Sequence, residues 1–240
     1  GYEVDFMQVN ELNVQNMMLD EEHKMRLVGK IDRMDTRETE DAVYVRIIDY
    51  KSGKTTFQLL NLYYGQQLQL VVYLNAAMAQ LKKEHPGKEI LPAGIFYYRM
   101  DDPMVEADGE DEEKIMEHIL GELRLNGLVS LDREAYEQMD VGLQGKSEVI
   151  PLTLNKDGSV SKRGTSGAAP VDFAALTAFV NRKICGAAEQ ILKGDIDIRP
   201  YQMESKTGCD HCPYHSVCGF DPKVEGYTFQ KNKKLSTDEV

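Results

Sequence analysis

Two stretches of the chain alternate apolar and polar residues closely enough to predict strands. In residues 23–35 (HKMRLVGKIDRMD), Met25, Leu27, Gly29 and Ile31 fall on one side. Residues 42–50 (AVYVRIIDY) are dense in β-branched and aromatic residues, which suit a pleated, half-buried surface. The charged, turn-like segment between them predicts an antiparallel hairpin. From about Leu60 the period becomes helical. Leu68, Val71, Val72, Ala76 and Ala79 form an apolar stripe that His85-Pro86-Gly87 ends. A further strand is predicted around "ILPAGIFYYRM", and helices over residues 111–124 and 131–138. A long helix has Pro170 at its start and Gly194 past its end. Residues 142–168, rich in Gly, Ser and Lys, read as a mobile loop around one short strand, Val149 to Leu154. Residues 1–22 read as an extended acidic segment without period. The order β-β-α-β with later helices predicts an α/β sheet with helices on its faces.

Each of the two first runs delivers an aspartate, and strand cores seldom carry charge without a reason. Alternation puts Asp49 and Lys51 on one face and turns Tyr50 the other way. If the hairpin pairs near Asp32, that carboxylate comes beside Asp49. Two like charges so close repel unless a cation lies between them, and oxygen-only ligation selects a hard ion such as Mg²⁺ or Mn²⁺. The other reading is an exposed Asp49–Lys51 ion pair, which contributes ~0–1 kcal/mol. Spacing alone leaves both open.

Composition narrows the class. The 240 residues are 42% hydrophobic and 28% charged, as in an ordinary globular protein. No apolar run is long enough to span a bilayer and no basic-then-apolar leader is present, so no membrane role is expected. The chain starts at Gly1 without methionine, and the expectation is a piece of a longer protein. The net charge of −12 argues against a domain that grips nucleic acid by its overall field. It leaves room for a nuclease, whose site needs carboxylates for metal.

At this point the motifs carry a resemblance. Gly29-Lys30-Ile31-Asp32-Arg33-Met34-Asp35, then Ile48-Asp49-Tyr50-Lys51-Ser52-Gly53, then Gln69-Leu70-Val71-Val72-Tyr73 resemble the RecB-like branch of the PD-(D/E)XK nucleases. "PAGIFYYRMDDP" and "CDHCPYHSVCGFD" are similar to the AddB-type nuclease domains of bacterial helicase–nucleases. The resemblance covers about residues 24–222. It implies a restriction-endonuclease-like mixed central sheet flanked by helices, with a C-terminal cysteine-cluster segment. It implies Asp32 and Asp49 as metal-binding carboxylates, the Tyr50 carbonyl as a further ligand, and Lys51 as the lysine of the motif. Ile31 stands where the family usually writes proline. Gln69 and Tyr73 match the Q-x-x-x-Y motif, and a spacing of four places both on one helical face. The implied activity is Mg²⁺-dependent DNA exonuclease chemistry in double-strand-break repair and recombination. Single-stranded ends would be fed by an AddA-like helicase–nuclease partner in the bacterial cytoplasm. The alternatives are a catalytically weak DNA-end-binding or subunit-contact module, and a CRISPR-associated RecB-like exonuclease. The family usually carries a histidine on a helix before the first aspartate. Only His23 precedes Asp32, with no helix predicted to carry it, so weak activity is expected of this segment.

Cys209-x-x-Cys212-x₅-Cys218 places three thiols in one short stretch, a spacing suited to an iron–sulfur cluster or to zinc with His215 as fourth ligand. The resemblance implies a [4Fe–4S] cluster in the full-length protein, completed by an upstream cysteine and incomplete in this segment. Cys185 lies mid-helix among apolar residues and reads as packing. The expected organisation is an N-terminal extended segment (1–22), a nuclease core (23–204), the cysteine segment (205–222) and a polar tail (223–240).

Overall fold

The computed structural model describes residues 12–19, 21–104 and 111–235. Strand β1 (Leu12–Met18) pairs antiparallel with β2 (Lys24–Gly29). The chain then changes partners: β3 (Arg33–Glu38) pairs antiparallel with β4 (Ala42–Lys51), from Arg33 opposite Ile48 to Glu38 opposite Val43. The strand expected over residues 23–35 is therefore two strands broken at 30–32. Both halves alternate, so the pattern could not show that they serve different sheets. The extended segment before residue 22 includes β1, which supplies β2 with its partner.

The main sheet has five strands in the order β3-β4-β5-β6-β7, with β5 at Glu89–Arg99, β6 at Asn126–Ser130 and β7 at Gly167–Ala168. Strands β4 and β5 run parallel, in register from Ala42 opposite Glu89 to Lys51 opposite Arg99. Parallel neighbours need a crossover, and α1 (Leu59–Tyr63) and α2 (Gln69–Glu84) provide it. The single helix expected from about Leu60 is broken at Gly65, whose φ of +85° suits glycine. Strand β6 has too few apolar residues to announce itself. It lies antiparallel to β5, and a methyl group on Gly127 would stand 2.0 Å from the Ile95 carbonyl oxygen.

Alternation along β4 feeds two cores. Val43, Val45 and Ile47 join Ile95, Leu128, the α2 residues Leu70, Leu74 and Ala77, and Val180 of α5 (Pro170–Leu192). Ile48 faces the other way and joins Phe96, Val129, Ile150, Leu152 and Tyr136 of α4 (Arg133–Met139). Helix α3 (Glu112–Leu123) starts at Asp111, whose carboxylate accepts from the Lys114 N–H at 3.0 Å. Such a cap contributes about 1 kcal/mol.

The glycine- and serine-rich stretch expected to be a mobile insertion is part of the second core. Ile150 and Leu152 are fully buried. Arg124 donates to the carbonyls of Ile150 (2.7 Å) and Leu152 (3.3 Å), and Ser147 Oγ accepts from the N–H groups of Val149 and Ile150. Composition describes the turns of this segment; its two core residues decide where it sits.

After α5 the chain forms a second, three-stranded sheet in the order β10-β8-β9, from Gln230–Lys231, Tyr201–Met203 and Lys206–Thr207, with the short helix α6 (His215–Cys218) between β9 and β10. The polar tail thus returns to pair with β8, and the Tyr64 hydroxyl donates to the Lys233 carbonyl at 2.8 Å. Backbone pairing of this kind leaves no side-chain period to read. No helix among the described residues is long and apolar enough to cross a membrane.

Candidate active site

The site lies where β3 begins and β4 ends. The β3–β4 ladder ends with Arg33 opposite Ile48, and Asp32 and Asp49 are the next residues on the two strands. Asp32 is exposed, and its Oδ2 accepts from the Tyr50 N–H at 3.0 Å. Asp49 points to the α2 side of the sheet and is 2% exposed. Its Oδ2 stands 2.5 Å from Lys51 Nζ, and the approach lacks hydrogen-bond alignment. A buried carboxylate oxygen held only by charge contact leaves a lone pair to be satisfied.

Lys51 is held from several sides. Its ammonium donates to Gln69 Oε1 at 3.4 Å and lies 5.2 Å from the centre of the Tyr97 ring. Its own carbonyl accepts from the Met100 N–H at 3.0 Å, which closes the β4–β5 ladder. Gln69 opens α2, and its Nε2 donates to the Tyr73 hydroxyl at 3.0 Å one turn later. Tyr73 is buried, with its ring against Gly29 of β2. A methyl group there would come within 2.9 Å of the ring. A connected polar line thus runs from Asp49 through Lys51 and Gln69 to Tyr73, with Asp32 on the adjoining strand. Tyr50 faces the opposite core, edge-on to Tyr98 at 6.0 Å between ring centres.

Two further groups support the site, and the sequence assigns neither a role. Tyr97 lies beside Asp49 in the parallel register and shares its face. Burial, and then the negative charge of Asp49, push its phenol up to about 12, so it remains a neutral ring under the ammonium. The second is Asp35, behind the β3–β4 pair. Its carboxylate accepts from Arg33 Nε at 3.0 Å and from Arg46 Nε at 2.7 Å. Burial would raise its pKa, but these two guanidinium bonds outweigh it and hold the group below the usual carboxylate range. Asp35 belongs to the first motif, and only the strand register shows that Arg46 is its partner.

His23 sits in the β1–β2 turn, where its carbonyl accepts from the Leu19 N–H at 3.0 Å. No helix precedes β2 among the described residues. Cys209, Cys212 and Cys218 are half-buried free thiols. The Cys209 thiol is pushed up, first by burial and then by its neighbours Cys212 and Cys218. Cys185 is a half-buried thiol on α5. Among the described residues no three His, Cys, Asp or Glu side chains converge with the geometry to hold a metal ion. The site at β4 therefore offers two carboxylates and a backbone carbonyl, and the cysteine segment offers three thiols that do not form a cage.

The PD-(D/E)XK nuclease superfamily matches residues 1–219. The chain belongs to this superfamily. It is also 41% identical over 241 aligned positions to the B-subunit of the ATP-dependent helicase/deoxyribonuclease of Thermoanaerobacter sp. (strain X514), covering 100% of this chain and 21% of that protein. The protein of the same name from Lachnoclostridium phytofermentans is 41% identical over 225 positions, covering 90% of this chain and 19% of the relative. That from Acetivibrio thermocellus is 37% identical over 241 positions, covering 100% and 21%. The chain spans about a fifth of the length of these curated relatives. The mixed sheet flanked by helices is the fold expected of PD-(D/E)XK nucleases, and the resemblance read from the three motifs is met.

Proposed function

We propose that this chain is the DNA-cleaving domain of an AddB-type subunit of a bacterial helicase–nuclease. It would hydrolyse phosphodiester bonds of single-stranded ends as a Mg²⁺-dependent exonuclease in double-strand-break repair. An AddA-like subunit would be its partner, and the bacterial cytoplasm its location. The observation that carries the reading is the line Asp49–Lys51–Gln69–Tyr73 beside Asp32, within a chain of this superfamily.

The buried, unaligned Oδ2 of Asp49 fits a hard cation, and Mg²⁺ or Mn²⁺ would be held by Asp49, Asp32 and the Tyr50 carbonyl. Such an ion supplies activation of water and neutralisation of charge on the phosphate. The side chains supply position. Lys51, fixed between Asp49, Gln69 and the Tyr97 face, presents an ammonium to a phosphate oxygen whose charge grows during cleavage. Gln69 spends its oxygen on Lys51 and an amide proton on Tyr73. The Tyr73 hydroxyl accepts that bond and keeps its own proton to donate toward a substrate oxygen.

The test is Asp49→Ala, assayed with labelled single-stranded DNA and Mg²⁺. Cleavage should disappear while circular dichroism and the melting transition remain those of a folded protein. Undiminished cleavage by the variant rejects the assignment. The cysteines do not by themselves fit a complete [4Fe–4S] site. Cys209, Cys212 and Cys218 would provide three of its ligands in the full-length protein.

A further inference from the structure

A groove of about 700 Å³ lies on the same side of the sheet as the candidate active site, between α1 and α5 and over β6. Its floor is apolar: Phe57, Leu62, Leu128 and Leu176 line it. Its rim is unlike the floor. Tyr63 of α1 and Phe179 of α5 stack with ring centres 5.8 Å apart and planes 11° from parallel. Lys183, one turn after Phe179, holds its ammonium 5.6 Å from the Tyr63 ring and 5.4 Å from the Phe179 ring. Arg182 lines the groove beside them. Both cations are exposed, and neither makes an ion pair among the described residues.

Elsewhere in the chain Lys54 pairs with Glu122, Arg99 with Asp101 and Arg133 with Glu137. The carboxylate of Asp172 also lines the groove, but it is engaged as a helix cap, accepting from the Ala169 N–H at 2.9 Å. The groove is joined to the candidate active site by the chain itself. Lys51 ends β4, and the next apolar residue, Phe57, lies in the groove wall, its N–H held by Asn126 Oδ1 at 2.6 Å.

We infer that this groove binds unstacked single-stranded DNA, with bases against the Tyr63–Phe179 pair and phosphates at Arg182 and Lys183. The inference rests on the nuclease reading and adds a strand-holding surface away from the reacting centre. Flat rings take any base, and two unpaired cations answer the backbone charge. A duplex keeps its bases stacked inward and offers the rings nothing. The groove would therefore discriminate single strands from double strands. Protein docking is the competing occupant. It is disfavoured by the cations poised at the rings, which an apolar peptide would have to desolvate.

The experiment is fluorescence anisotropy of the 240-residue protein with a labelled deoxythymidine oligomer in EDTA, where no cleavage occurs. The intact protein should bind the oligomer, and should bind an abasic strand and a duplex of equal length more weakly. Phe179→Ala should weaken binding about 5–100-fold, the span of one lost base stack. Arg182→Glu/Lys183→Glu changes exposed residues only and guards against misfolding. It should weaken binding and reduce the salt slope by about 1–2. Cleavage of a short oligonucleotide in Mg²⁺ reads the nuclease assignment separately, so either idea can fail without the other. Equal affinity for normal and abasic strands, or no binding by the intact protein, overturns the inference. Unchanged DNA affinity in the charge-reversed variant, with altered self-association in sedimentation, gives the groove to a polypeptide instead.

Discussion

The carboxylate–lysine site and the cysteine segment both contain residues suited to metal, yet the fold treats them differently. At the end of β4, register and helix docking bring the polar groups into one connected line. Lys51 touches Asp49, Gln69 and the Tyr97 face, and Gln69 touches Tyr73. In the cysteine segment, three neighbouring thiols lie in turns around a four-residue helix, and no element of the main sheet holds them. A sheet positions side chains through backbone bonds that exist before any ligand arrives. A turn-rich loop depends on its ligand for order, because few buried contacts constrain it. The first region is fixed by sheet and helix together, and the second by turns and a short helix.

The sharpest break of this comparison is at the carboxylate–lysine site. Lys51→Ala removes the cation that would face the phosphate, and the single-strand cleavage rate should fall by about 10²–10³-fold, as for loss of one transition-state donor. A matched Cys212→Ser variant should cleave within a few-fold of the parent. Equal losses in the two variants would erase the distinction.

Next comes Gly29→Ala. The added methyl group meets the Tyr73 ring at 2.9 Å, so the ring must move and carry its bond to Gln69 with it. Cleavage should drop about tenfold, since small displacements of positioning groups are costly. Stability should fall by about 1–3 kcal/mol, the usual cost of overpacking. Tyr73→Phe separates the two causes, because it keeps the ring and loses the hydroxyl. A loss in Gly29→Ala without one in Tyr73→Phe would assign the effect to packing alone.

A smaller effect concerns acid stability. The folded-state pKa of Asp35 is depressed by Arg33 and Arg46, which overcome the opposing pull of burial. A depressed carboxylate contributes stability that is fully present above its unfolded pKa of about 3.9, and this is lost as pH falls through the lower folded value. Asp35→Asn should therefore be less stable than the parent at pH 7. The difference should narrow below about pH 4. Urea titrations at pH 7 and pH 3 would measure it; a constant difference would show that charge is not the cause.

The smallest expected effect is at the thiols. Replacing Cys209, Cys212 and Cys218 together by serine should shift the melting temperature of the reduced, metal-free protein by no more than about 2 °C, because these residues are half-exposed. Protein prepared without oxygen should show no strong absorbance near ~400 nm, the region typical of iron–sulfur clusters. A strong band with about four irons per chain would show that the segment assembles a cluster unaided.

Much of the main sheet is legible in the amino-acid pattern, because its strands are amphipathic. Residues 42–50 and the strand around "ILPAGIFYYRM" announce themselves by β-branched and aromatic content. The parts that escape such a reading share a physical cause. Strand β6 is short and glycine-bearing, β7 has two residues, and β10 pairs through backbone alone. The burial of Ile150 and Leu152 depends on a core that other segments create. At the site, the order and spacing of Asp32, Asp49, Lys51, Gln69 and Tyr73 can be read directly. The places of Tyr97 and Gly29 beside them cannot.

The amino-acid sequence by itself determined that Asp49 and Lys51 share one face of a strand, since alternation is a property of the backbone. It likewise determined that Gln69 and Tyr73 lie one helical turn apart. Only the tertiary structure decided that these two pairs meet, because α2 must cross back over β4 to reach the parallel β5 and brings its first turn down on Lys51. It also decided that Asp32 meets the end of β4 at the Tyr50 N–H, where the chain leaves β2 and starts a new pairing at Arg33. Local geometry follows from neighbours in the chain; convergence follows from which surfaces bury each other.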